Sequence, residues 1–207
     1  MHRTQPANID ATYLNTLDYH DSHWEWSKWD VVVHLANVSP KWVQYNHSGR
    51  IIYASSGAVY AGTNKYADDK RKWEAMLEGK HVVARLFSFV GAHLKNLYAV
   101  TNFIDDAMNG RPIVVRSSGL SVRSYLYGEQ LGQVMWSMLD KDPGIYDVGG
   151  KTPYTILEVA RLVAQQFDAY LQVLNEHDST DSIYLPEYGI EETIPLDEAI
   201  ERTIHER

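Results

Sequence analysis

The sequence predicts an α/β protein whose centre is a doubly wound parallel sheet. Three observations carry this reading: β-branched runs recur at 31–33, 51–52 and 82–83, small or polar residues follow them, and stretches of helical periodicity separate later runs. "WDVVVHLANVS" (29–39) reads as a short buried strand entering a polar loop, and "RIIYASSGAVY" (50–60) as a second one ending in small residues. A helix follows over 64–79, and "HVVARLFSFVG" (81–91) reads as a third strand. In the second half, "TNFIDDAMNG" (101–110) is a helix stopped by Gly110, "PIVVRS" a strand led by Pro112, and "SSGLS" a turn. "VRSYLYG" is another strand, "EQLGQVMWSMLD" an amphipathic helix and "GIYDVGG" a further strand. "TILEVARLVAQQF" puts Ile156, Val159, Ala160, Leu162 and Val163 at helical spacing, and "PLDEAIERTI" is a last helix with Pro195 at its start. The character shifts near 91–97, which predicts a core over 1–95 and a smaller, interleaved lobe over 96–207, the two meeting at one cleft.

Composition narrows the function. With 207 residues and 44% apolar content the chain can bury a core, and a formal charge of −8 argues against nucleic acid as a partner. A local basic pocket for a phosphorylated small molecule remains compatible with that charge. No cysteine is present, which rules out disulfides, thiolate metal sites and a thiol nucleophile. The nine histidines lack metal-ligand spacing, so no metal site is expected. "MHRTQPANID" has no secretory apolar core, and no run approaches the ~18 apolar residues of a membrane span, so a soluble, cytoplasmic protein without a membrane partner is expected.

"NKYADDKRKWEAML" (64–77) places Tyr66 four residues before Lys70, on one face of its helix. A cation about 4 Å from a phenol, at an effective dielectric near 20, favours the phenolate by roughly 4 kcal/mol, enough to bring the phenol into general acid–base range. The same spacing also arises wherever a helix merely stacks two residues, and the pattern alone leaves both readings open.

Context adds to it. "DVVVHLA", "YASSGAVY", "YADDK…E" and "RLFSFVGAHL", followed by "VRSYLY" and "YDVGG…TILEVARLVA", occur in a fixed order over about residues 30–207. In these the chain resembles the extended short-chain dehydrogenase/reductase family, in particular its NAD-dependent nucleotide-sugar epimerases, dehydratases and reductases of deoxysugar and surface-polysaccharide metabolism. The resemblance implies a Rossmann-like doubly wound sheet with a small C-terminal α/β substrate lobe, NAD or NADP as cofactor and a nucleotide sugar as small-molecule partner. Residue by residue, it implies that Tyr66 is the acid–base residue, Lys70 its partner and a contact of the nicotinamide ribose, and Ser56 the hydroxyl that bonds the reacting substrate oxygen. Leu35 and Ala36 match a loop approaching the dinucleotide, while Ser88 and Arg123 match substrate-binding positions, Arg123 as the diphosphate clamp. Read from the residues alone, Ser56 could instead serve a tight strand exit, Leu35 and Ala36 strand packing, and Arg123 a solvated surface.

The pattern also departs from the family. Only 29 residues precede Asp30 and none is Gly, so the first β-α-β unit and its Gly-rich cofactor turn are expected to be lacking. The linker "NVSPKWVQYNHSG" (37–49) reads as too short for a helix with its turns, which puts the family's usual homodimer surface in doubt. Gly57 and Ala58 stand where the family's 4,6-dehydratases carry Asp and Glu, so epimerisation or keto reduction is expected rather than dehydration. Gln130 stands where an acidic residue commonly follows the "RSYLY" strand. Three functions stay open: an NAD(P)-dependent epimerase or reductase, a catalytically silent relative acting in binding or assembly, and a chain whose cofactor site a separate polypeptide completes. An exposed sheet edge over 30–36 would mark the third.

Overall fold

A computed structural model describes residues 29–60, 62–92, 94, 98–174 and 181–207. Its first sheet contains β1 (Val31–His34), β2 (Arg50–Ser56), β3 (Val82–Leu86) and β7 (Gly144–Val148), all parallel and in the order β1-β2-β3-β7. The second contains β4 (Ser88–Val90), β6 (Val122–Tyr127) and β10 (Ile183–Tyr184) in parallel, with β8 (Pro153–Thr155) antiparallel to β6. A parallel pair joins β5 (Ile113–Val115) to β9 (Leu171–Val173). The helices are α1 (Lys41–Asn46), α2 (Lys65–Leu77), α3 (Ala99–Met108), α4 (Gly128–Ser137), α5 (Ile156–Phe167) and α6 (Leu196–His205).

The run 81–91 is two strands, not the single one its hydrophobicity suggests. Phe87 separates them: its N–H bonds to the Val148 carbonyl at 2.9 Å, and its ring sits where a Cβ on Gly57 would lie, 2.6 Å away. β3 therefore ends in the first sheet and β4 starts in the second. The exchange runs both ways, since β7, from the second half of the chain, completes the first sheet beside β3. The expectation that 37–49 holds no helix is also corrected. Pro40 precedes one turn and a half of helix, and Val43, 1% exposed, docks it on Ile51, Tyr53, Leu77 and Val83. Burial of one apolar anchor is enough to fold six residues that would not be helical alone. The expected lack of a Gly-rich turn concerns residues 1–28, outside the described residues.

Two clusters cover the faces of the first sheet, one on Ile51, Tyr53 and Val83, the other on Ile52, Val82, Ala84 and Leu126. A third joins α3, α5 and α6 through Ile104, Val159, Val163 and Ile200 over β5 and β6. Helix α5 starts with a reciprocal cap: Glu158 N–H bonds to Thr155 Oγ1 at 3.1 Å, and Thr155 N–H to Glu158 Oε2 at 2.7 Å. Gln130, 5% exposed, donates to the Glu191 carbonyl at 2.8 Å and accepts from Thr193 N–H at 3.1 Å. An ionised carboxylate could only accept, so the amide explains this departure as a staple between α4 and the segment before α6.

The turn before β6 needs Gly119, whose φ is +76° and whose added Cβ would stand 2.9 Å from Leu157 Cβ. Gly119→Ala is expected to lower stability by at least about 1 kcal/mol, seen as a lower urea midpoint. An unchanged midpoint would show that the turn relaxes without cost.

Candidate active site

Helix α2 is unusual in what it buries. Asn64 caps it, accepting from Ala67 N–H at 3.0 Å, and its inner face consists of Ala67, Lys70, Glu74 and Leu77. Two of those four side chains are charged, although charged residues are seldom fully buried without partners. Lys70 and Glu74 are 3% and 4% exposed.

The Lys70 ammonium donates to the Ala54 carbonyl at 2.8 Å and lies 4.8 Å from the Tyr53 ring centre and 5.6 Å from those of Tyr66 and Trp73. Burial lowers its pKa to about 8, and the Glu74 carboxylate opposes that fall. Tyr66, one turn earlier, is 40% exposed and open to the cavity beside it. Ser56, the last residue of β2, accepts from Ala58 N–H at 3.2 Å and lines the same cavity.

That cavity encloses about 590 Å³ at the carboxyl ends of β1, β2 and β3, where open parallel sheets bind ligands. Its far wall comes from the second sheet and the first turn of α3. Of the residues the sequence singles out, Leu35, Ser56, Tyr66, Lys70, Ser88 and Arg123 all line it. Ala36 does not: it lies between two lining residues, Leu35 and Asn37. Arg123 donates through Nη1 to the Ser182 carbonyl at 2.8 Å and through Nη2 to Ser182 Oγ at 2.9 Å, and its guanidinium stacks 4.4 Å from the Tyr184 ring centre. The half-buried guanidinium is thus held in one place by Ser182 and Tyr184, rather than free on the surface.

Sequence reasoning missed Asn37, Phe87, Tyr98, Tyr125 and Tyr184 in the wall. The strand period of two would have found Tyr125, which shares the face of Arg123. Nothing local points to Tyr184, because its two-residue strand exists only through pairing with β6.

His34 ends β1 and is 4% exposed, against the Tyr53 ring at 5.5 Å. Burial, with the Lys70 charge adding to it, lowers its pKa to about 4. Above pH 6.5 the imidazole is neutral in folded and unfolded chains alike. Below it the unfolded chain takes a proton that the folded one refuses, so stability falls until about pH 4. From pH 6.5 to 5 the loss is about 2 kcal/mol, and it should vanish from urea unfolding of His34→Gln. Parallel pH curves for the two proteins would refute it.

The chain is similar to several known proteins. The family model described as "NAD dependent epimerase/dehydratase family" matches residues 62–149. UDP-glucuronic acid decarboxylase 1 of Danio rerio is 28% identical over 188 residues, covering 84% of this chain and 43% of that protein. For dTDP-D-glucose 4,6-dehydratase of Homo sapiens the identity is 23% over 199 residues, 76% of this chain and 57% of that one. The chain thus spans about half the length of these curated relatives. Among solved structures, UDP-N-acetylglucosamine 4-epimerase from Methanobrevibacter ruminantium, in complex with UDP-N-acetylmuramic acid, superposes with a TM-score of 0.74 at 18% identity, covering 91% of this chain and 80% of that one. dTDP-glucose 4,6-dehydratase from Bacillus anthracis, in complex with NAD, gives 0.68 at 16%, covering 86% and 72%. At these identities the structural likeness establishes the Rossmann-like α/β fold. Among the described residues no helix is long and apolar enough to cross a membrane, and no group of three or more His, Asp or Glu is placed to hold a metal.

Proposed function

We propose that this chain, similar as it is to NAD-dependent epimerases and dehydratases, acts as a nucleotide-sugar epimerase or keto-reductase. The observation that supports this most is the convergence of Ser56, Tyr66, Lys70 and Arg123 on one cavity from three separate elements, β2, α2 and β6. In this reading the Ser56 hydroxyl orients the reacting oxygen of the sugar, and the Tyr66 phenol takes or returns its proton. The Lys70 ammonium stands beside the Tyr66 ring, and the Arg123 guanidinium faces the diphosphate. Dehydration is disfavoured for a steric reason as well as a chemical one. A side chain at position 57 would start 2.6 Å from a carbon of the Phe87 ring, and Ala58 has no acid to offer.

A nicotinamide dinucleotide would supply the hydride acceptor or donor. The described residues fit its nicotinamide-ribose end: Lys70 has two ammonium hydrogens beyond the one given to Ala54, Tyr66 opens beside it, and Leu35, 61% exposed, offers an apolar rim. The pyrophosphate end has no counterpart among the described residues, since the glycines with positive φ, at 79, 110 and 119, are all outside the cavity wall.

Titration of the purified chain with NADH and with NADPH, followed by fluorescence and calorimetry, tests the reading. Saturable binding at micromolar cofactor is expected; none up to millimolar concentration would sink the stand-alone enzyme. A second reading would then take over, in which a separate polypeptide completes the cofactor site. One observation favours it: among the described residues β1 pairs only with β2, and Val33 is 46% exposed. Binding of a UDP-sugar without any dinucleotide would instead indicate a silent relative that has kept its sugar pocket.

A further inference from the structure

Tyr66, Lys70 and Glu74 stand at successive turns along one face of α2, yet only the first two open onto the cavity. Glu74 lies behind them, and its bonds are all on the neighbouring strands. Ser55 Oγ, 3% exposed, donates to Oε1 at 2.5 Å, while Arg85 donates through Nε to Oε1 at 3.1 Å and through Nη2 to Oε2 at 2.7 Å. Ser55 and Arg85 are register partners across β2 and β3, so one carboxylate ties the helix to both strands. The tie falls one residue before Ser56 and one after Ala54, the carbonyl that receives Lys70.

A buried ion pair of this kind costs desolvation and is a weak explanation of stability by itself. Its placement suggests a different use. Lys70 is a third buried charge, packed against the rings of Tyr53, Tyr66 and Trp73, with His34 as the titratable group on β1 and Glu74 as the anion on its own helix. His34, pulled to about 4, is neutral near pH 7 and brings no charge of its own. Rings and a single carbonyl do not offset the loss of water around an ammonium. The carboxylate one turn away is what opposes neutralisation.

We propose that Glu74 is a positioning residue: its carboxylate, held by Ser55 and Arg85, keeps the buried Lys70 ammonium charged and docked on β2 beside Tyr66. This rests on the reading of Tyr66 and Lys70 as the proton-handling pair. The test needs neither cofactor nor turnover. In the full chain carrying 13C-labelled lysine, the Lys70 signal is assigned by its loss in Lys70→Met and its titration midpoint is followed by NMR. Glu74→Gln, which keeps the shape and loses the charge, is expected to lower that midpoint by about one pH unit, and Glu74→Asp to restore most of it. An unmoved midpoint in Glu74→Gln, with or without lost stability, makes Glu74 a purely structural residue and overturns the proposal. Should Glu74→Gln not fold, Arg85→Gln decides, because an unneutralised Glu74 must raise the midpoint; no rise overturns the proposal equally. A failed NADH titration alongside a shifted midpoint would instead refute the enzyme reading and leave the Glu74–Lys70 coupling standing.

Discussion

Tyr66→Phe is expected to reduce turnover of a nucleotide-sugar substrate by about 10²- to 10⁴-fold, the usual contribution of a positioned proton donor or acceptor. The change deletes one oxygen from a ring that is 40% exposed and leaves the Lys70–ring contact at 5.6 Å in place. Stability should therefore stay within about 0.5 kcal/mol, as at other exposed positions. The diagnostic result is a fall in kcat with an unchanged urea midpoint. Turnover that survives undiminished would remove Tyr66 from the chemistry, whatever the fold resembles.

Leu77→Ala carries the largest expected effect on stability, about 2–5 kcal/mol, from lost burial and the cavity left behind. Leu77 is fully buried at the end of α2, within the cluster of Val43, Ile51, Tyr53 and Val83. Those neighbours come from α1, β2 and β3, three elements that cannot all move inward to fill the gap. Denaturant unfolding should show a lower midpoint at unchanged slope. A loss below about 1 kcal/mol would mean that α2 contributes little to the stability of the first sheet. Because Glu74 lies one turn before Leu77, loosening this anchor should also weaken the Glu74–Arg85 pair, which the Lys70 midpoint would register.

Much of the site was legible because its parts obey local rules. Tyr66 and Lys70 share a face through helical spacing alone, and Arg123 follows from the order of motifs around it. The role of Glu74 was not legible. The motif "YADDK…E" includes it without giving it a role, and only its position over Ser55 and Arg85 shows that it faces inward. Ala36 went the other way, since adjacency to Leu35 in sequence did not put it on the cavity wall.

By itself the sequence determined the alternation of strands and helices, the parallel arrangement that alternation requires, the absence of thiol chemistry and the shared helix face of Tyr66 and Lys70. Each depends on residue type and on spacings of a few residues, which the chain imposes on itself. Tertiary structure decided the rest: the break at Phe87 that sends β4 into the second sheet, the insertion of β7 beside β3, the short helix over 41–46, and the meeting of Arg123 with Tyr184. These depend on which surfaces of segments distant in sequence bury each other. No local period encodes such a choice; it is made by the volume of the Phe87 ring against Gly57 and Gly149 and by the pairing that strand edges find.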